Sequence, residues 1–163
     1  MTGENFELTI CRTIRAPRSA VWAAWSEREH FEKWWIPEPI KCKTIKMDLK
    51  PGGGFETQMS EDGGLTFMPH LEGCFLEIVP KERIVFTTAL TESWRPFDPW
   101  LALTAIITME DKGKDTKYMA RVLHKNQEES CKHQEMGFEE GWGTTIEQLG
   151  KMAATLVDSY PAV

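Results

Sequence analysis

The sequence predicts a single α+β domain, in which about seven strands form a curved antiparallel sheet and one long C-terminal helix packs against it. Three observations carry this prediction. Apolar and polar residues alternate from Phe6 to Ile14, as expected for a strand with one buried face. Strand-like segments separated by short turns occupy residues 40–123. Apolar residues at helical spacing then extend from residue 130 to residue 157.

Two short helices are expected directly after the first strand. Pro17 suits the first turn of a helix, and apolar residues within 21–25 give that helix a buried side. Ser26 is expected to cap a second helix, because Glu29 follows three residues later, as in a capping box. The second helix should end before Pro37, and it carries the large apolar residues Phe31, Trp34 and Trp35.

The middle of the chain predicts six further strands. Glycine-rich turns at residues 51–54 and 61–64 separate some of them. Because the connections are mostly short, hairpins between antiparallel strands are favoured over parallel strands joined by helices. The strand-like segments are residues 41–49, 55–59, 70–79, 84–90, 101–110 and 116–123.

The C-terminal helix is expected to have two unlike halves. Before Gly137, its inner face carries Gln134 and Glu135, which a dry core does not accept. Either the helix kinks at Gly137 and turns these residues to solvent, or it stays in phase and they line the polar end of a cavity. Glycines at 141, 143 and 150 would reflect close packing on the sheet. After Gly137 the same face forms an apolar stripe of Phe138, Trp142, Ile146, Leu149, Ala153 and Leu156.

Composition excludes several classes of function. The net charge is −6 and basic residues do not cluster, so nucleic-acid binding is disfavoured. No apolar run is long enough for insertion into a membrane, and the N-terminus lacks the pattern of a signal peptide. The 4 cysteines fit no zinc spacing and are expected to be free thiols in the cytoplasm. Neither a phosphate-binding loop nor a metal-ligand motif is present, so no cofactor is expected.

Six motifs together resemble a known family, and they span nearly the whole predicted core, residues 6–157. In order they are R-x-I-x-A-P at 12–17, V-W-x-A-W at 21–25, W-W at 34–35, D-L-K-P-G-G at 48–53, G-x-F-L-E-I-V-P-x-E-R-I-V-F at 73–86 and M-G-F-E-E-G-W at 136–142. This series is similar to the START-like superfamily, also called SRPBCC or Bet v-like. Within it, the resemblance is to the branch named after the activator of the Hsp90 ATPase.

The resemblance implies a helix-grip fold, with a cavity between the C-terminal helix and the sheet. In many members that cavity binds a hydrophobic or amphipathic small molecule, and some members are enzymes acting on aromatic substrates. The namesake stimulates a chaperone ATPase with the help of a separate N-terminal domain, for which 163 residues leave no room. We therefore expect a protein that binds a hydrophobic or aromatic ligand, with an enzyme or a chaperone-regulating module as alternatives.

Ligand contacts are expected from aromatic and methionine side chains that wall the cavity and from a few polar groups that orient the ligand. Arg12, His124 and Glu135 are the main polar candidates, with Arg12 as a possible counter-charge to Glu135. The full set is Arg12, Trp34, Trp35, Phe55, Met59, Phe67, Phe75, Trp94, Phe97, Met119, His124, Gln134, Glu135 and Phe138.

Three features leave alternatives open. Arg12 lies on the apolar side of the first strand and either faces the cavity or extends to solvent. His124 and His133 either act as acid and base at the cavity mouth or are structural histidines. The loop 91–100, rich in aromatic residues, forms a lid, a homodimer contact or simple packing on the sheet rim. An enzyme would require Arg12, His124 and Glu135 to converge in one cavity.

Overall fold

The computed structural model describes residues 6–162. In chain order the elements are β1 (Glu7–Ile14), α1 (Arg18–Ser26), α2 (Arg28–Phe31), β2 (Lys41–Met47), β3 (Gly54–Ser60), β4 (Met68–Val79), β5 (Arg83–Thr87), β6 (Leu90–Thr91), a 3₁₀ turn (Glu92–Trp94), β7 (Arg95–Pro96), β8 (Thr104–Lys112), β9 (Asp115–Leu123), α3 (Gln127–Glu135) and α4 (Phe138–Ala154). The predicted α+β class and the helix-grip architecture are confirmed.

Seven of the strands form one antiparallel sheet, in the order β1-β9-β8-β5-β4-β3-β2. The first strand pairs with the last, from Glu7 opposite Leu123 to Ile14 opposite Thr116. β1 and β2 are therefore the two edge strands of the sheet. The two short helices connect them in the chain. The tiny strands β6 and β7 pair only with each other, within the loop after β5. None of the helices in residues 6–162 is both long and apolar enough to cross a membrane.

A cluster of aromatic rings fills the space between the α1–α2 region and the sheet. The ring of Trp25 lies 5.3 Å, centroid to centroid, from those of Phe31, Trp34 and Trp35. Two rings from the sheet, Phe55 and Phe75, stack at 4.6 Å. Aromatic side chains bury large areas and favour such tilted and edge-on contacts. The aromatic residues therefore form the centre of the core.

The first two helices differ from the prediction in the cap at Ser26 and in the end of α2, which stops at Phe31 and so does not carry Trp34 or Trp35. Ser26 ends α1 instead of capping α2, whose N-cap is Glu27. The predicted cap at Ser26 is therefore wrong. The helix continues through the fully buried Trp25, whose indole N–H donates to the Tyr118 hydroxyl at 2.9 Å. Trp34 lies beyond α2 and is drawn back into the core by its hydrogen bond to the Ala24 carbonyl at 2.8 Å.

The C-terminal helical stretch is broken at Gly137. This glycine has φ 93° and ψ 46°, a left-handed conformation, between the end of α3 and the start of α4. A single continuous helix over residues 130–157 is therefore wrong, and the kinked alternative is the one observed. The main body, α4, packs against α1 and β1. Its buried residues Phe138, Ile146, Leu149 and Ala153 confirm most of the predicted stripe, although Trp142 is only partly buried.

The glycines within α4 do not all have a packing reason. A Cβ placed at Gly143 would lie 3.7 Å from Ile10 Cδ1, and one at Gly150 would lie 3.9 Å from Ile14 Cγ2. These are ordinary contact distances, and they fit the predicted close approach to the sheet. A Cβ at Gly141 would meet nothing within 4 Å.

The substitution Gly141→Ala is therefore expected to stabilise the protein by about 0.5 to 1 kcal/mol, because alanine loses less conformational freedom in a helix. Gly137→Ala provides the contrast. At its positive φ a side chain is strained, so this substitution should destabilise by about 1 kcal/mol. Urea unfolding of both variants measures the two changes, and equal signs would contradict the assignment of the helix break.

Candidate functional site

The four aromatic residues expected to wall a cavity lie in the packed core. Trp34, Phe55 and Phe75 are at most 1% exposed, and Trp35 packs against the same cluster. Their rings contact one another, with Trp35 and Phe55 centroids 5.4 Å apart. The rings of these four residues therefore pack against other side chains of the core.

Five other predicted residues lie at separate places. Met59 is partly buried on β3, and Phe67 precedes β4, with the Lys43 ammonium 5.4 Å from its ring centroid. Met119 lies on the face of β9 opposite its buried residues. Trp94 and Phe97 are 50% and 42% exposed in the loop after β5. The structure does not bring these five together.

Three predicted residues do converge, at the elbow between α3 and α4. Gln134, Glu135 and Phe138 line an open pocket of about 400 Å³ together with Leu8 and Thr9 of β1. The pocket, named here the elbow pocket, is completed by Gly137, Glu139 and Glu140. Leu8 and Phe138 supply its apolar surface, and most of the other residues are polar or acidic. Leu8 and Thr9 were not predicted, since only the pairing of β1 with β9 brings them beside the helix break.

Arg12 lies near this pocket but not against its predicted partner. Its guanidinium lies 3.6 Å from the carboxylate of Glu139, and both side chains are largely exposed. It also donates to the Cys11 carbonyl at 2.9 Å. An ion pair in water contributes little to stability. The expected pairing of Arg12 with Glu135 is not made, and Arg12 extends along the solvent-facing rim.

A buried histidine pair lies behind the elbow pocket. His124, at the end of β9, and His133, in α3, are 8% and 6% exposed. His124 Nε2 and His133 Nδ1 are 3.0 Å apart. His124 Nδ1 lies 3.0 Å from the Phe6 carbonyl oxygen, and the Trp142 indole N–H donates to His133 Nε2 at 3.3 Å. All four ring nitrogens thus have partners.

The partners fix the direction of this hydrogen-bond chain. A carbonyl oxygen only accepts, so His124 must carry its proton on Nδ1. An indole N–H only donates, so His133 Nε2 must be bare. His133 then carries its proton on Nδ1 and donates it to His124 Nε2. With both rings neutral, every group is satisfied, which favours structural histidines over an acid–base pair.

Burial favours the neutral form of His133. Desolvation, and secondarily the neighbouring His124, lowers the pKa of His133 to about 4. The rings of His133 and Phe138 pack edge to face, with their centroids 5.1 Å apart and an interplanar angle of 81°. The apolar wall of the elbow pocket therefore packs on the histidine pair.

Other potential sites are less complete. Glu27, Glu29 and His30 place ligand atoms within 4.8 Å of one another, but the Glu27 carboxylate already accepts from Tyr160 at 2.7 Å and faces His30 at 2.9 Å. A second pocket of about 290 Å³ lies where Lys46, Glu56, Glu72 and Arg95 meet. There burial and then a hydrogen bond with Glu72 raise the pKa of Glu56. Neither place has the apolar surface of the elbow pocket.

No disulfide joins the cysteines in the described part of the chain. Cys11, Cys42, Cys74 and Cys131 are all free thiols, as predicted. Burial, with a contribution from Glu32, raises the pKa of Cys42 to about 12. A thiol with a pKa this high stays protonated and is a poor nucleophile.

Comparison with known proteins identifies what the chain resembles. Residues 15–154 match the family described as activator of Hsp90 ATPase homolog 1-like protein. The chain matches no protein of curated function.

Several solved structures share the fold. A crystal structure of a protein from Nitrosomonas europaea is 35% identical, with a TM-score of 0.83 over 98% of this chain and 100% of that one. A solution structure from Arthrobacter aurescens is 24% identical, with a TM-score of 0.77 over 93% and 88% of the two chains. A crystal structure from Mycobacterium smegmatis is 20% identical, with a TM-score of 0.74 over 91% of each chain. The last two support the fold alone.

Proposed function

The chain belongs to the activator of Hsp90 ATPase homolog 1-like family, and we propose that within this family it binds a small hydrophobic or aromatic molecule in the elbow pocket. The observation that carries the proposal is the pocket itself, about 400 Å³ in volume, with Leu8 and Phe138 beside Gln134 and Glu135. Ligand sites commonly combine this size with apolar walls and a few polar groups.

The site differs in place from the cavity expected at first. The core between the helices and the sheet is filled by side chains, among them the fully buried Phe55, Phe75 and Trp25. A ligand there would have to displace several rings, each of which contributes to stability through its buried apolar area. Binding at the elbow needs no such displacement.

Charge around the pocket favours a ligand without a negative group. Three carboxylates line it, from Glu135, Glu139 and Glu140. Among residues 6–162, only Glu139 of these three has a basic partner, Arg12 at 3.6 Å. An anionic ligand would meet net negative charge, whereas a hydroxyl or an amine would find acceptors. We therefore assign the ligand an aromatic or aliphatic body with a neutral or basic polar end.

Three probes with the same ring test this proposal: 1-naphthylmethylamine, which is cationic, 1-naphthalenemethanol, which is neutral, and the carboxylate of 1-naphthaleneacetic acid, which is anionic. The amine is expected to bind about fivefold or more tightly than the anionic probe, because one carboxylate at contact distance contributes about 1 kcal/mol in water. Glu135→Gln should reduce this preference, whereas Glu147→Gln, on the exposed side of α4, should not. Isothermal titration calorimetry measures each affinity.

Blocking the pocket provides the control on location. Thr9 is exposed and lines the pocket, so Thr9→Trp should weaken all three probes. Thr13→Trp, exposed on the same strand outside the pocket, should leave them unchanged. Failure of all three probes to bind, or equal binding to Thr9→Trp, would overturn the proposed site.

The enzyme alternative loses its expected constellation. Arg12 contacts Glu139, His124 contacts Phe6 and His133, and Glu135 lies on the exposed side of α3. Within residues 6–162, no hydrogen bond or ion pair joins any two of Arg12, His124 and Glu135. A function in binding needs no such convergence.

A second candidate function is protein interaction through the loop after β5. Its residues Trp94, Phe97 and Trp100 are 50%, 42% and 68% exposed, and such aromatic residues are typical of interaction surfaces. Under this proposal the partner is a second copy of the chain or another protein. None of the three lines the elbow pocket, so substitutions in the loop separate this function from ligand binding.

A further inference from the structure

The end of α3 that forms one wall of the elbow pocket depends on few contacts. In the first turn of α3, Glu129 accepts the Ala102 N–H at 3.3 Å. In the last turn, Lys132 donates to the Trp100 carbonyl, and His133 makes the side-chain hydrogen bonds to His124 and to Trp142 of α4. Gln134 and Glu135 follow it immediately and line the pocket.

We infer that His124 and His133 form a proton-sensitive latch, which holds the C-terminal end of α3 against β9 and α4 while both rings are neutral and releases it in acid. Its hydrogen bonds link the end of β9 to α3 and, across the helix break, α3 to α4. His124 belongs to the end of β9 and bonds the chain before β1 through Phe6, whereas His133 bonds α4 through Trp142.

The hydrogen-bond chain has no place for an added proton. A proton on His133 Nε2 would put an N–H against the Trp142 N–H. A proton on His124 Nε2 would force His133 to accept at Nδ1 and so carry its own proton on Nε2, with the same result. Either way the bond to Trp142 is lost and a charge is left in a buried site.

Among the described residues, no carboxylate forms a hydrogen bond or an ion pair with His124 or His133. On β1, Glu7 pairs with Arg121 of β9 at 3.0 Å. On α3, Glu129 is one turn before His133 and accepts from Ala102. On α4, Glu139 faces Arg12.

The sign of the pH effect follows from the pKa of His133, which burial lowers from 6.5 to about 4. When the end of α3 is open, the ring regains an ordinary pKa and binds protons more readily than in the latched state. The latch is therefore fully effective above about pH 6.5 and weakens as the pH falls toward 4.

Amide hydrogen exchange tests the latch without any ligand. After correction for intrinsic rates, the opening equilibrium of the last turn of α3 should increase on the order of tenfold from pH 7.5 to pH 5.0. His133→Gln keeps a neutral donor and acceptor at this position, so its ratio should stay within about twofold. His30→Gln, at a histidine outside the latch, should behave as wild type.

Ring nitrogen spectra provide a second readout. At pH 7.5 both His124 and His133 should be neutral, with the proton on Nδ1. Trp142→Phe removes the indole N–H and should raise the pKa of His133, whereas Trp22→Phe should not. Titration of wild-type His133 near its ordinary pKa, a proton on Nε2, or an exchange ratio in wild type no larger than in His133→Gln would overturn the latch.

Release of the end of α3 would also displace Gln134 and Glu135, which line the elbow pocket, and so weaken ligand binding in acid. This consequence rests on the proposed function of the elbow pocket. If the naphthalene probes do not bind at pH 7.5, the proposed function fails, and the exchange and ring measurements still decide the latch. If the probes bind but α3 opens equally at both pH values, the latch fails and the pocket stands.

Discussion

Trp25→Ala is expected to lower the free energy of unfolding by about 4 kcal/mol or more, the largest effect of any single substitution considered. Trp25 is fully buried and lies at the centre of the aromatic cluster, 5.3 Å from three other rings. The substitution leaves a cavity and also removes the partner of the Tyr118 hydroxyl. Chemical denaturation at neutral pH measures the loss.

Trp22 is the matched control for Trp25, since it lies on the same helix and is only partly buried. Trp22→Ala should cost less than half as much. Trp25→Phe keeps one ring but loses the bond to Tyr118 and part of the buried indole volume, so its cost should lie between those of Trp22→Ala and Trp25→Ala. A cost for Trp25→Ala no greater than for Trp22→Ala would show that the cluster is not the centre of the core.

Gly53→Ala is expected to destabilise by about 3 kcal/mol or more. A Cβ at Gly53 would lie 1.9 Å from the Asp48 carbonyl oxygen, a backbone atom that cannot move without disturbing the turn. The same turn is tied to β4, because Phe75 N–H donates to the Gly53 carbonyl at 2.9 Å. Movement of the turn would therefore also disturb the aromatic cluster beside Phe75.

A second turn glycine shows whether this cost arises from collision. Gly63 has a positive φ of 79°, and a Cβ there meets nothing within 4 Å. Gly63→Ala should therefore cost about 1 kcal/mol, from backbone strain alone. Thermal unfolding of the two variants compares them directly, and a smaller loss for Gly53→Ala than for Gly63→Ala would contradict the described turn.

Local patterns were enough to predict most of the fold. Alternation in residues 6–14 identified β1, and the spacing of Phe138, Ile146 and Leu149 identified the buried face of α4. Both patterns depend only on side-chain periodicity, which the sequence displays directly. The cap at Ser26 was predicted wrongly, because the local capping motif does not reveal that α1 continues past the buried Trp25 to include Ser26.

The candidate site was harder to predict, because it depends on contacts between distant parts of the chain. Phe55 and Phe75 were predicted to contact a ligand, and the sequence cannot distinguish a ring that faces a cavity from one that faces other rings. The helix break at Gly137 was one of two open alternatives. Leu8 and Thr9 enter the site only through the pairing of β1 with β9.

The histidine pair was predicted only in part. A His124–His133 pair was one alternative predicted from the sequence, since only a short segment separates the end of β9 from α3. Their roles follow from Phe6 and Trp142, whose proximity no local pattern indicates. The directions of the hydrogen bonds then favour a structural pair that supports the pocket over a pair that performs chemistry.

The measurement that most directly tests a ligand site at the elbow is a two-dimensional amide NMR titration with 1-naphthylmethylamine at pH 7.5. Shifts should concentrate at Leu8, Thr9 and residues 134–140, which line the pocket. They should be absent from Thr9→Trp. Shifts centred instead on Trp35, Phe55 and Phe75 would place the ligand within the aromatic core and contradict the account.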